Sequence, residues 1–148
     1  MQSTTIQHRF IKLFTLLALS FIALSFIAPA GLDSYEIYLN KQLLLKQNVN
    51  QPLSLRKLQL SKAKEQDQLR IQYRHCQAPY TGTDRSIFIK DQKGNILRKW
   101  AFPNGTGMVI AVKELQLLEK NHPSSDLRMH YASRELPKEE TLAFIHFK

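Results

Sequence analysis

The stretch LRIQYRH, residues 69–75, alternates apolar and polar side chains without a break. Leu69, Ile71 and Tyr73 share one face of an extended chain, because successive side chains of a strand point to opposite sides. This two-residue period is typical of a strand that buries one face and exposes the other. The stretch therefore predicts a β-strand that packs against a second layer of structure.

Short apolar or alternating segments also lie on both sides of this strand. They cover residues 35–39, 43–47, 53–60, 86–91, 96–102, 108–112, 127–133 and 141–147. Turn-forming residues separate them at intervals typical of all-β sandwiches and small barrels. We predict an all-β fold, an antiparallel and immunoglobulin-like β-sandwich of about eight strands. A closed barrel is the alternative.

Three segments carry more specific predictions. The change of phase within residues 53–60 predicts a β-bulge, with Arg56 and Lys57 as the extra pair. The wholly apolar run at residues 108–112 predicts a central strand. The helical spacing of leucines after that run, together with helix-favouring residues, predicts a short helix near residues 113–120.

The amino-terminal residues 1–30 have the composition of a secretory signal peptide. Two basic residues precede an apolar run at 13–27, and Ala28-Pro29-Ala30 matches the small-x-small pattern recognised by signal peptidase. The run of 15 residues is shorter than the roughly 20 that span a bilayer, which favours cleavage before Gly31.

Cleavage would leave a single β-sandwich domain at residues 31–148 with no transmembrane span. We expect this domain to be exported, either to the periplasm or out of the cell. The alternative is a chain anchored in the membrane by an uncleaved signal segment.

The composition is basic, with 21 Lys and Arg against 12 Asp and Glu and a net charge of +9 with neutral histidines. The signal segment holds two of the cations, Arg9 and Lys12, and none of the acids, so the exported domain would carry +7. Anionic lipid, lipopolysaccharide and acidic polysaccharide are possible contacts for such a protein. The charges are scattered without a run of five, which favours a solvated basic face over a polyanion-binding tail.

Cys76 is the only cysteine, so the exported domain has no internal disulfide and depends on its hydrophobic core. The same count excludes a cysteine-rich zinc site and a CxxC redox pair. His75 directly precedes Cys76, which suggests a thiol nucleophile beside its base. If the alternation of residues 69–75 continues, however, His75 points inward and Cys76 outward, which favours a structural cysteine.

Other catalytic patterns are not recognisable in the sequence. None of the serines at 54, 86 and 133 has GxSxG surroundings. The glycine-bearing loops do not match a phosphate loop, and the acidic residues do not match a calcium loop. His130 and His146 have no clear carboxylate partner for a metal site. We therefore predict no enzyme activity, no cofactor and no metal, and export argues against nucleic acid as a partner.

Three runs resemble small exported proteins of uncharacterised function from Gram-negative bacteria. They are DSYEIYLNKQLLLKQ (33–47), LRIQYRHCQAPYTGTDRSIFIKDQKGNIL (69–97) and ELPKEETLAFIHF (135–147). The resemblance covers nearly all of residues 31–148, and its motifs are structural in character. It implies export and a β-sandwich, and it assigns no catalytic or binding residue.

These observations predict a non-catalytic binding or accessory module of the cell envelope, with an unidentified protein or glycan as its partner. The candidate surface binding residues are His75, Cys76, Asp84, Arg85 and Trp100. We expect Asp84 and Arg85 to form a local pair that orders their loop. Two alternatives stay open: a thiol-dependent or redox-sensitive activity centred on Cys76 with His75, and electrostatic binding to anionic envelope polymers.

Overall fold

Nine short strands dominate residues 31–148, the part of the chain that a computed structural model describes. Their bounds are β1 Ser34–Leu39, β2 Gln42–Asn48, β3 Lys57–Gln59, β4 Gln68–Arg74, β5 Arg85–Lys90, β6 Ile96–Phe102, β7 Met108–Ala111, β8 Leu127–Ala132 and β9 Glu140–His146. One α-helix, α1, spans Val112–Asn121, and a 3-10 turn spans Leu53–Leu55. With 45% of these residues in strands and 11% helical, the predicted all-β class is confirmed.

The strands form two sheets. The four-stranded sheet has the order β2-β1-β4-β7 and the five-stranded sheet has the order β3-β9-β8-β5-β6. Neighbouring strands are antiparallel except β3 and β9, which pair in parallel. This arrangement agrees with the predicted β-sandwich, with nine strands rather than about eight.

Residues of both sheets form the hydrophobic core. Strand β4 illustrates how the sequence pattern selects them. Leu69, Ile71 and Tyr73 are each at most 5% exposed, whereas the polar residues between them are exposed. The alternation in the sequence thus becomes one buried and one solvated face. In β5 both faces are buried: on the outer face, the Phe88 ring stacks on His130 of β8 and lies under the ammonium group of Lys90.

The predicted bulge within residues 53–60 is wrong, since the chain forms the 3-10 turn and then begins β3 at Lys57. Between these elements, Arg56 is 2% exposed. Its guanidinium is bound by the carboxylate of Glu140 and the carbonyls of Val49, Gln51 and Thr141. A buried charge requires such acceptors, so the chain turns at Arg56 and directs its side chain inward.

The apolar run at residues 108–112 does not form a central strand, so that prediction is also wrong. β7 lies at the edge of its sheet and pairs only with β4, and Val109 on its outer face is 40% exposed. Val112 already begins α1, which confirms a helix at the predicted place. Val112 and Leu115 are buried in the core, so the apolar residues serve two elements rather than one.

The predicted signal peptide, residues 1–30, lies outside the described residues. Among the residues that are described, no helix has the length and hydropathy needed to cross a membrane.

Candidate binding site

The β4–β5 loop, residues 75–84, crosses from the four-stranded sheet to the five-stranded sheet. His75 at its start is 4% exposed, whereas Cys76 is an exposed free cysteine. The alternation of β4 therefore continues past the end of the strand, with His75 inward and Cys76 outward. The two neighbours belong to different environments.

Both ring nitrogens of His75 have partners. Nδ1 lies 3.1 Å from Oδ2 of Asp33, and Nε2 lies 3.1 Å from the hydroxyl of Tyr131 and 3.2 Å from Oγ of Ser133. An ionised carboxylate only accepts hydrogen bonds, so Nδ1 carries the proton. Nε2 lies within hydrogen-bond distance of both hydroxyl groups.

The carboxylate of Asp33 binds three groups at once. Besides His75 Nδ1, it accepts from the backbone N–H of Cys76 at 2.8 Å and from the hydroxyl of Tyr73 at 2.9 Å. Desolvation raises the pKa of Asp33, but the hydrogen bonds outweigh this effect and hold the pKa below its ordinary value. The ionised side chain thus connects the start of β1 with the end of β4.

Glu135 fixes the other end of the loop. Its carboxylate accepts from the backbone N–H of Thr83 at 2.9 Å and from the Thr83 hydroxyl at 2.6 Å. Desolvation raises the pKa of Glu135, but hydrogen bonds from Thr83 and Ser133 lower it to about 2. The β4–β5 loop is therefore held by one carboxylate from each side of the sandwich.

Gly82 allows the loop to close over His75. Its φ of +72° lies in the region that favours glycine, and a Cβ there would lie 2.7 Å from both His75 Nε2 and the Tyr131 hydroxyl. A larger residue would have to displace one of these groups. We refer to Asp33, Tyr73, His75, Tyr131, Ser133 and Glu135 as the His75 cluster.

Ser133, His75 and Asp33 have the connectivity of a nucleophile, a base and an orienting acid. Nε2 of His75, however, also lies 3.1 Å from the Tyr131 hydroxyl and is covered by Gly82. Acyl transfer needs space for a substrate beside the serine, so the geometry favours a structural cross-link.

A groove of about 630 Å³ opens beside the His75 cluster. Tyr73 belongs to both, so the cluster forms part of the groove wall. The other walls come from β1, β2, β4, the β4–β5 loop, β5 and the β6–β7 connection. Lining residues used below are Glu36, Lys46, Arg74, Tyr80, Arg85 and Thr106.

Arg85 lines this groove and is 6% exposed. Its Nη2 donates to the carbonyls of Pro103 at 2.6 Å and Thr106 at 2.7 Å. The expected Asp84–Arg85 pair is not what the structure shows, because the carboxylate of Asp84 pairs with Arg134. Asp84 has a φ of 50°, and its side chain is exposed to solvent.

Trp100 lies apart from the groove, on the inward side of β6. Its indole N–H donates to Glu114 of α1 at 3.1 Å, and Arg98 binds the same carboxylate. Of the five predicted residues, the structure therefore places His75 in the cluster and Arg85 in the adjoining groove. Cys76 and Asp84 are exposed on the β4–β5 loop.

Sequence reasoning named only His75 as a site residue and missed five members of the cluster: Asp33, Tyr73, Tyr131, Ser133 and Glu135. The sequence could have indicated Tyr131, because the alternation of β8 directs its side chain inward, as the alternation of β4 directs that of His75. Polar groups on two facing inner surfaces are expected to meet, since buried polar atoms need partners. Asp33 and Glu135 lie in connections without periodicity, so no pattern could place them.

Neither a metal centre nor a known relative identifies this site. Within residues 31–148, no group of three or more His, Cys, Asp or Glu side chains is placed to hold a metal ion. No protein-family model, curated protein or solved structure matches this chain.

Replacement of Gly82 tests whether the cluster supports the fold. We expect Gly82→Ala to lower the free energy of unfolding by about 3 kcal/mol, because the new Cβ strains the backbone and displaces buried hydrogen-bonding groups. Urea denaturation followed by tryptophan fluorescence measures this change. Gly94→Ala is the matched control, since Gly94 has a φ of +88° but no atom within 4 Å of the added Cβ. We expect a loss of about 1 kcal/mol there, and equal losses in the two variants would contradict the account.

The reactivity of Cys76 tests the thiol alternative. Desolvation and the nearby Asp33 carboxylate raise the pKa of the Cys76 thiol, so less thiolate is present at neutral pH. We expect iodoacetamide to alkylate the folded protein at pH 7.5 more slowly than the urea-unfolded protein, although the residue is exposed. Faster alkylation of the folded protein would favour an activated thiol.

Proposed function

We propose that this chain is an exported, non-catalytic binding module of the cell envelope that binds its partner in the groove beside the His75 cluster. The groove itself is the observation that carries the proposal. Ligand sites are concave and largely preformed, and this groove has rigid walls because carboxylates hold the adjoining loop at both ends.

The absence of catalysis is part of the proposal. The groups that resemble catalytic residues bind one another: His75 contacts Asp33 through Nδ1, and Tyr131 and Ser133 through Nε2. Networks of this kind rigidify a protein when their members are satisfied. The raised pKa of the Cys76 thiol likewise argues against a thiol-dependent activity.

Export rests on the pattern of residues 1–30, with a membrane anchor as the alternative if that segment is retained. The immunoglobulin-like connectivity also stays a prediction. Two largely antiparallel sheets support a sandwich of that general kind, and the parallel β3–β9 pair is a feature it would have to accommodate.

Site-specific photo-crosslinking tests the proposed groove. A photoreactive phenylalanine analogue replaces Tyr80, which lines the groove and is 60% exposed. The control carries the analogue at Ile96, which is 56% exposed at the start of β6 and is not a lining residue. Both proteins are irradiated in envelope extract from a Gram-negative host.

We expect a discrete protein or glycan adduct from the Tyr80 position and none from Ile96. Identical adducts at both positions, or none at either, would contradict the proposal. The experiment is repeated at about 0.5 M salt, where exposed charges are screened within a few ångströms. An adduct that disappears there would favour general attraction to anionic polymers over binding in the groove.

A further inference from the structure

Arg85 and Arg56 are both buried arginines, but their partners differ. Arg56 pairs with the carboxylate of Glu140. Arg85 makes its hydrogen bonds to two carbonyls, both through Nη2. The Nε atoms of both arginines are buried without a hydrogen-bond partner, so the two differ in the carboxylate that only Arg56 has. Within residues 31–148, no carboxylate lies within 4.0 Å of its guanidinium. A buried charge without a counter-ion is energetically costly. We therefore expect Arg85 to bind an anionic group that is not part of residues 31–148.

The groove has the charge to attract such a group. Lys46, Arg74 and Arg85 line it, against a single carboxylate, that of Glu36. Glu36 is already engaged, because it pairs with Lys46 at 2.7 Å and accepts from the Tyr38 hydroxyl. The lining therefore carries an excess of positive charge that an incoming anion would meet.

An open strand edge borders the same groove. β7 pairs with β4 only from Gln68 to Ile71, whereas β1 continues along β4 to Arg74. The segment 72–74 therefore has a strand on one side and the groove on the other. An unpaired edge is a template for an additional extended chain.

Arg85 lines the same groove as this edge and is bound to the β6–β7 connection. Thr106, whose carbonyl it binds, precedes β7 by two residues, and Met108 at the start of β7 is paired with Ile71. A chain that continued β7 along residues 72–74 would therefore occupy the groove beside Arg85. An extended chain could therefore pair with the free edge of β4 while it lies next to the guanidinium of Arg85.

Resting on the proposed groove, we propose that its ligand is the carboxyl-terminal end of an extended peptide. The peptide main chain pairs with the edge of β4 at residues 72–74, and its terminal carboxylate binds the guanidinium of Arg85. Strand addition supplies main-chain hydrogen bonds, and a charge-assisted contact to arginine is stronger than a neutral one. One buried guanidinium matches the single charge of a carboxylate.

The test uses N-acetyl-trialanine with a free carboxyl terminus, its carboxyl-terminal amide, and acetate, each added to the ¹⁵N-labelled protein. NMR follows the amide signals of residues 72–74 and the Arg85 side-chain signal. We expect the free acid to shift these signals and to bind about tenfold more tightly than the amide, which lacks the charge. Acetate should bind more weakly than the free acid, because it cannot pair with the strand edge.

Equal affinity for acid and amide, or no shift at about 20 mM peptide, a range that reveals even weak binding, would overturn the proposal. Acetate as effective as the tripeptide would overturn its peptide part. Arg85→Gln should remove the preference for the free acid, while the control Lys99→Gln, at an exposed position of β6 that does not line the groove, should retain it. If Arg85→Gln does not fold, the acid and amide comparison on the unaltered protein decides. Crosslinking at Tyr80 without any acid preference would leave the groove standing and remove only this ligand.

Discussion

The contact between His75 and Asp33 is the constraint on which this end of the molecule depends. A histidine at the end of β4 points into the interior because the strand alternation directs it there, and a buried imidazole needs partners for both nitrogens. Asp33 supplies one of them at 3.1 Å. The same carboxylate also binds the Cys76 amide and the Tyr73 hydroxyl, so the start of β1, the end of β4 and the loop are fixed together.

The two buried arginines have different roles: Arg56 stabilises the fold, and we assign Arg85 to ligand binding. Arg56 is enclosed by acceptors from the chain itself and joins the turn before β3 to β9. Arg85 is held in place by the β6–β7 connection but is given no counter-ion among residues 31–148. The first arginine completes the sandwich. The second lines the groove that the rigid β4–β5 loop helps to form, which is why we assign it to a ligand.

The periodic parts of the sequence were the predictable ones. The alternation of apolar and polar residues predicted β4, with His75 inward and Cys76 outward. The helical spacing of leucines predicted α1. The apolar run at 108–112 misled because hydrophobicity alone does not distinguish an edge strand that leads into a helix from a central strand. The cluster could not be assembled beforehand, since Asp33 and Glu135 meet His75 and Thr83 across sequence separations of 42 and 52 residues. Those contacts follow from topology rather than from local pattern.

Amide hydrogen exchange measures most directly whether the two carboxylates hold the β4–β5 loop. The backbone N–H groups of Cys76 and Thr83 donate to Asp33 and Glu135, whereas Gln77 in the same loop is exposed. The account predicts that Cys76 and Thr83 exchange at least about a hundredfold more slowly than Gln77, because their exchange requires the loop to open. Exchange of all three at the same fast rate would contradict it.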